Sequence, residues 1–222
     1  MTAHAFEHDT DNLPAEAAIA LSPVVFSQIY KPEHNIAIWQ RSLSEQLQTE
    51  VTETVAAFAD LSINAVINQN AIAADIDKAL EKRPQAKALK ADLAQLVDMF
   101  CYLFELKRVG LRLKVLERAM CPRFHVDRVP CRLVSTYSGS GSEWLQNSGL
   151  DRNKLGAGNQ GLSDQESGLI APHTKVQSLT VGDVALLKGE TWQGNEGLGL
   201  VHRSPQVATG EKRLLLTLDF IA

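Results

Sequence analysis

Two histidines, one aspartate and one arginine in the second half of the chain have the residue types and spacing of a metal centre. His125 and Asp127 are separated by one residue, His202 follows much later, and Arg213 comes after it. Two imidazoles and one carboxylate can hold one face of an octahedral ion and leave the opposite face open, as in non-haem Fe(II) oxygenases. An arginine adds a planar group that binds a carboxylate through two hydrogen bonds. The set predicts a metal ion, an acidic cosubstrate and oxygen chemistry.

The spacing of His125 and Asp127 is that of two residues on one face of a β-strand, with Val126 on the other face. His202 must then arrive from a distant strand, as inward-facing side chains of a β-barrel do. The alternative is that the residues are unrelated. In that case His125 is a surface histidine with Asp127 as its turn partner, and His202 caps a turn before Pro205.

The sequence around these residues predicts a β-rich C-terminal half. Residues 109–117 alternate apolar and polar side chains, and residues 131–137 are rich in strand-forming types before a Ser-Gly turn. Further strands are predicted at 176–180, 181–190, 198–202 and 213–220. Strands separated by Gly-rich turns, without a helical pattern between them, are typical of antiparallel β architecture.

The N-terminal half predicts helices instead. Ser42, with Glu45 three residues later, forms a capping box, and residues 85–107 carry apolar side chains at helical spacing. We expect one α+β domain over 25–222, with a helical part at about 42–108 and a β-barrel part at about 109–222. An N-terminal extension over 1–24 is expected to be poorly ordered.

Composition limits the class of protein. The chain has 222 residues, is 45% hydrophobic and carries a net charge of −4, which favours a folded core and argues against nucleic acid as a partner. It shows no signal peptide and no apolar run long enough to span a membrane.

Three cysteines without a Cys-x-x-Cys pair predict reduced thiols and a cytoplasmic protein. Cys121 and Cys131 flank the motif and leave a Cys-containing zinc site open, although their spacing fits no standard finger.

Two stretches carry a family resemblance. Residues 121–145 run from Cys-Pro-Arg-Phe-His-Val-Asp to Gly-Ser-Glu-Trp-Leu, and residues 181–219 contain Val-Ala-Leu-Leu-Lys-Gly-Glu and Val-His-Arg-Ser-Pro. Both resemble the signature of a bacterial family, the DUF1826 proteins, and the resemblance extends from about residue 25 onward. By motif order, these proteins are similar to the Fe(II)/2-oxoglutarate oxygenases. The family also implies a link to proteins of metal and zinc homeostasis.

The resemblance implies a fold and a site. The fold would be a double-stranded β-helix, that is, a jelly-roll or cupin-like barrel, with N-terminal helices packed on its outside. His125, Asp127 and His202 would bind Fe(II), and Arg213 would bind the far carboxylate of 2-oxoglutarate. Many oxygenases have a Ser or Thr two residues after this Arg, where this chain has Leu215, so Thr217 or Tyr137 would have to supply the hydroxyl.

Two further interpretations stay open. The same residues could bind zinc without turnover, because residue types alone do not select iron over zinc. An open metal site can also activate water, which would make the protein a hydrolytic cupin-like enzyme.

The substrate region is expected in the polar segment 138–175, as a loop over the metal with little order of its own. Arg132, Trp144 and Trp192 are the candidate residues of a pocket for a small-molecule substrate. Arginines surround the motif in sequence, and if half of them face the opening, an anionic ligand is favoured. They are Arg123, Arg128, Arg132 and Arg203.

Overall fold

The structure, a computed structural model, describes residues 17–81, 83 and 85–221. The α-helices are α1 (Glu45–Ala57), α2 (Ile72–Ala79) and α3 (Lys87–Phe104). The strands are β1 (Ala18–Ala20), β2 (Ile36–Trp39), β3 (Ser62–Asn68), β4 (Arg108–Leu116), β5 (Cys131–Ser138), β6 (Glu143–Trp144), β7 (Gln177–Ser178), β8 (Val184–Lys188), β9 (His202–Arg203) and β10 (Arg213–Phe220). A 3₁₀ helix spans Pro23–Tyr30, and shorter ones lie between β6 and β7.

The strands form a large sheet and a small one. The order in the large sheet is β1-β2-β8-β5-β10-β4-β3, and in the small sheet it is β7-β6-β9. β1 pairs with β2 in parallel, and the other strand pairs of the described chain are antiparallel. The small sheet covers one face of the large sheet, because Trp144 of β6 packs in one apolar cluster with residues of β2, β5 and β8. We call this covered face the inner face.

The outer face of the large sheet packs on the helices. In β10, Leu214, Leu216 and Leu218 belong to the main core cluster, while Arg213 and Thr217 point to the inner face. The same cluster contains the apolar stripe of α3, which consists of Leu89, Leu93, Leu96, Val97 and Phe100. The helical spacing of this stripe thus buries one side of α3 against the sheet. The expected mixed α+β class is confirmed.

Several boundaries differ from those expected from the sequence. The domain begins before residue 25, because β1 pairs with β2 and Ser22 caps the 3₁₀ helix that follows. Residues 1–16 of the expected extension lie outside the described residues. The expected helical part contains β3, which pairs with β4 and widens the large sheet.

The start of α1 also differs. The hydroxyl of Ser44, not that of Ser42, accepts a hydrogen bond from the backbone N–H of Leu47 at 3.3 Å, and the helix begins at Glu45. No helix among the described residues combines the length and apolarity needed to cross a membrane.

A polar contact joins α3 to the large sheet. The guanidinium of Arg41 binds the carboxylate of Asp92 through two hydrogen bonds, of 2.5 and 2.8 Å, and the hydroxyl of Tyr137 donates to the same carboxylate at 2.6 Å. Burial, and then the charge of Asp92, raise the pKa of Tyr137 well above its usual value, so the phenol keeps its proton. One buried carboxylate therefore fixes the chain after β2, helix α3 and strand β5 together.

We expect Asp92→Ala to lower the free energy of unfolding by about 3–5 kcal/mol, because it leaves a buried guanidinium without its partner. Urea unfolding measures the loss. Asp77→Ala is the matched control, since Asp77 pairs with Lys90 at 2.9 Å but its side chain is 67% exposed. That change should cost at most about 1 kcal/mol. Equal losses in the two variants would contradict the role of Asp92.

Candidate metal centre

Backbone pairing brings the two histidines of the expected triad together. His125 and His202 face each other in an antiparallel bridge, and the N–H of each donates to the C=O of the other at 3.0 Å. Residues paired in this way have their side chains on the same side of the sheet. The two ring centroids are 4.6 Å apart.

Asp127 reaches the histidines because the chain after it lies against the end of β8. The N–H of Glu190 donates to the carbonyl of Asp127, and that of Gly189 donates to the carbonyl of Pro130, both at 2.9 Å. A Cβ at position 189 would lie 2.0 Å from the carbonyl oxygen of Val129, so this close approach requires glycine.

The three side chains converge on one point. Their ligand atoms all lie within 4.8 Å of one another. Nε2 of His202 is 3.3 Å from Oδ2 of Asp127, and Nε2 of His125 is 3.7 Å from Oδ1. The side chain of His202 is 9% exposed and that of His125 is 33% exposed, so the cluster is open on the side of His125.

Both imidazoles are oriented for metal binding. Nδ1 of His125 lies 2.9 Å from the carbonyl of Arg123, and Nδ1 of His202 lies 3.1 Å from the carbonyl of Leu200. Because a carbonyl only accepts, we assign the proton to Nδ1 in both rings, which leaves the Nε2 lone pair for an ion. Burial, and then the proximity of His202, lower the pKa of His125, which favours the neutral form that binds metals.

Arg132 and Asp219 hold the third ligand in place. Nη1 of Arg132 donates to Asp127 at 2.6 Å, its Nε donates to Asp219 at 2.6 Å, and Arg112 also donates to Asp219. Burial alone would raise the pKa of Asp127, but the adjacent imidazole of His202 and the positive charge of Arg132 hold it well below the usual value. The carboxylate is therefore ionised, as a metal ligand must be.

Arg213 lies inside the protein and is 1% exposed. Its Nη1 donates to the hydroxyl of Ser204 at 3.0 Å, and its Nη2 donates to those of Thr136 and Ser142 at 3.0 and 2.8 Å. Its Nε has no partner, and no carboxylate of the described residues pairs with it. Burial lowers the pKa of Arg213 to about 10, so it is charged at neutral pH. Arg213 is therefore a buried cation with no matching anion in the part of the chain that the structure describes.

Tyr137 and Trp192 lie elsewhere, which corrects two expectations. Tyr137 belongs to the core on the outer face of the large sheet, and it is the neighbouring Thr136 that points inwards. Alternation along β5 explains this placement. Trp192 packs on the helix side against Tyr30 and Phe104.

The other expected residues lie near the centre but have different contacts. Thr217 shares the inner face with Arg213, and its hydroxyl accepts from Nε of Arg112 at 3.3 Å. Trp144 is buried in the apolar cluster between the sheets. Arg132, expected in a substrate pocket, instead binds two carboxylates.

The cysteines near the motif take no part in the cluster. Cys131 is buried in the outer core and Cys121 is exposed, and neither belongs to the ligand group that the described residues form. The described residues thus form no metal-binding group that includes a cysteine.

Segment 138–175 lies beside the cluster and has more apolar anchors than expected. The carboxylate of Asp164 accepts from the N–H of Phe124 at 3.1 Å and lies 3.3 Å from Nη1 of Arg203. A small apolar cluster joins this segment to residues adjacent to both histidines. It contains Phe124, Leu145, Leu169 and Val201.

The hydroxyls around Arg213 and the role of Asp219 were missed by the sequence reasoning. Strand alternation could have found Thr136, because it shares a face of β5 with Arg132. Ser142 and Ser204 lie next to short strands that the pattern does not define, so nothing in the local sequence marks them.

Comparison with known proteins gives the family. A model described as "Protein of unknown function (DUF1826)" matches residues 20–219. The chain belongs to the DUF1826 family. No curated protein matches the sequence.

Solved structures similar to this DUF1826 protein include a 2-oxoglutarate complex of dioxygenase for auxin oxidation 1 from Arabidopsis thaliana. That match has a TM-score of 0.54 and 8% identity, and covers 94% of this chain and 93% of the other. The rice dioxygenase for auxin oxidation gives a TM-score of 0.49 at 13% identity, covering 85% of this chain and 74% of the other. HygX from Streptomyces hygroscopicus, with iron bound, gives a TM-score of 0.49 at 10% identity, and the match covers 90% of this chain and 87% of the other. At such identities the Arabidopsis match shows a similar fold and nothing further.

We expect His125→Ala, Asp127→Ala and His202→Ala each to weaken Co(II) and Zn(II) binding at least tenfold. Changes that only disturb the support of a ligand cost about 10–100-fold, so removing a ligand costs at least as much. Isothermal titration calorimetry measures the affinities. His173→Ala is the control, because His173 is exposed and outside the cluster. Unchanged affinity in all three variants would exclude this metal site.

Proposed function

We propose that this DUF1826 protein is an Fe(II)/2-oxoglutarate-dependent oxygenase, with Fe(II) bound by His125, Asp127 and His202. The observation that carries the proposal is Arg213, a buried arginine bound to neutral hydroxyls and without a carboxylate partner among the described residues. One of these hydroxyls belongs to Ser204, two residues after His202, or about 7 Å along an extended chain. A short dicarboxylate could span such a distance.

The donor set fits Fe(II). Two imidazoles with free Nε2 atoms and one ionised carboxylate are the ligands of the facial triad, which leaves positions for a chelating cosubstrate and oxygen. The bound metal with 2-oxoglutarate and O₂ would supply the oxidising chemistry. The chain's own part would be to hold the cosubstrate through Arg213 and to keep water out.

Exclusion of water is supported by the lining of the interior. Val134, Trp144 and Leu200 are buried in the cluster between the sheets. In such surroundings, the charge of Arg213 would attract a carboxylate more strongly than it would in water.

The strand order supports a double-stranded β-helix. Strands β4, β10, β5 and β8 are adjacent in the large sheet, and the His125 segment, β9, β6 and β7 are adjacent in the small layer. Two facing layers of four antiparallel strands are the arrangement of a jelly roll. In this proposal β1, β2 and β3 extend the barrel, and the helices cover its outside.

A second candidate is a zinc-binding protein of metal homeostasis that does not turn over a substrate. Leu215 favours it, because a buried leucine stands where many oxygenases have a hydroxyl. Thr136, Ser142 and Ser204 favour the oxygenase, because they place three hydroxyls around the same guanidinium.

Uncoupled turnover distinguishes the two candidates. The protein is purified without oxygen, loaded with Fe(II) and exposed to 2-oxoglutarate and O₂, and succinate is measured by NMR. We expect slow succinate formation that is absent in His202→Ala. Tight zinc binding, together with no succinate from the iron-loaded protein, would favour the second candidate.

We expect Arg213→Lys to weaken 2-oxoglutarate binding about 10–100-fold, because lysine cannot form the two parallel hydrogen bonds of a guanidinium. Calorimetry with the Mn(II)-loaded protein under anaerobic conditions measures the change. Arg118→Lys is the control, since Arg118 is exposed and has no contact with the cluster. Equal affinity in the two variants would show that Arg213 does not bind the cosubstrate.

A further inference from the structure

A cavity of about 490 Å³ opens beside His125, on the exposed side of the metal cluster. Its lining includes His125, Val126, Arg128, Arg152, Leu155 and Glu190. This volume is within the range of small-molecule sites. A larger cavity, of about 730 Å³, lies at the α1 edge of the large sheet and includes none of the three cluster residues.

Arg152 is anchored in this wall by neutral oxygens. Its Nη2 donates to Oδ1 of Asn147 at 2.5 Å and to the carbonyl of Gly199 at 2.6 Å. Its buried Nε has no partner among the described residues. Like Arg213, Arg152 is held on one edge by uncharged groups. Burial lowers its pKa, and the nearby charge of Glu190 offsets part of that effect.

Arg128 adds a second positive charge to the same cavity. It is exposed, and no hydrogen bond or ion pair joins it to another described residue. Glu190 is the acidic residue of the lining, but its Oε1 accepts from the N–H of Gly197 at 2.6 Å. The lining thus has two arginines and one acidic residue, and Val126 and Leu155 add apolar surface to it.

We propose that this cavity binds a small organic anion, a carboxylate or a phosphate monoester, through Arg128 and Arg152. The apolar body of the ligand would lie against Val126 and Leu155, beside His125. That this anion is the substrate rests on the proposed oxygenase function, since a bond to be oxidised must lie next to the metal. The anion site itself is distinct from Arg213, which lies inside the barrel.

The test compares three ring compounds on the full-length protein by ligand-observed NMR and calorimetry. Benzoate and phenyl phosphate separate carboxylates from phosphates, and benzamide is the neutral counterpart of benzoate. We expect at least one anion to bind about tenfold more tightly than benzamide, which corresponds to a difference in binding free energy of about 1.4 kcal/mol. Added salt should weaken the binding of the anions and leave the binding of benzamide unchanged.

Arg128→Gln and Arg152→Gln should each weaken anion binding about tenfold, while Arg118→Gln should leave it unchanged. Arg128 is on the surface, so its variant is informative even if Arg152→Gln does not fold. Equal binding of benzoate and benzamide would overturn the proposal, as would anion binding lost only in Arg213→Lys. If the iron-loaded protein forms succinate but binds the anions no more tightly than benzamide, the anion site is refuted and the oxygenase proposal stands. If the anions bind selectively but no succinate forms, the oxygenase proposal is refuted and the anion site stands.

Discussion

Alternation of side chains along β5 and β10 is the constraint on which the rest of the structure depends. Both strands pair with a neighbour on each side and are buried on both faces, so successive side chains point into different environments. Leu214 packs with the helices while Arg213 points into the interior. A shift of one residue would place the guanidinium in the apolar core and a leucine beside the hydroxyls. The helical core and the candidate centre are therefore determined by the same register.

Four arginines that are buried or partly buried follow two patterns. Arg41 and Arg132 are neutralised by carboxylates, and each joins separate parts of the fold. Arg213 and Arg152 are instead held by hydroxyl, amide or carbonyl oxygens. Removing a guanidinium from water without a counter-charge is costly, and in our proposals an anionic ligand at Arg213 and at Arg152 would offset part of that cost.

Residue types and the His125–Asp127 spacing predicted the members of the cluster, although His125 lies in an isolated bridge and not in a regular strand. The apolar stripe of α3 was likewise predicted from its helical spacing. Features that depend on distant partners were not predictable. β1 is held by its parallel pairing with β2, and β3 forms a strand because it pairs with β4. The position of Trp192 follows from tertiary packing against aromatic residues of the helical layer.

The reciprocal backbone hydrogen bonds between His125 and His202 hold the two imidazoles side by side. In small zinc domains, by contrast, metal binding and folding are one event. In the proposed centre the backbone would position the ligands, so a chelator should remove a bound cation and leave the fold intact. A centre positioned in this way would be open to mismetallation. Which ion it bound in the cell would then depend on the supply of iron, zinc and copper as much as on the ligands.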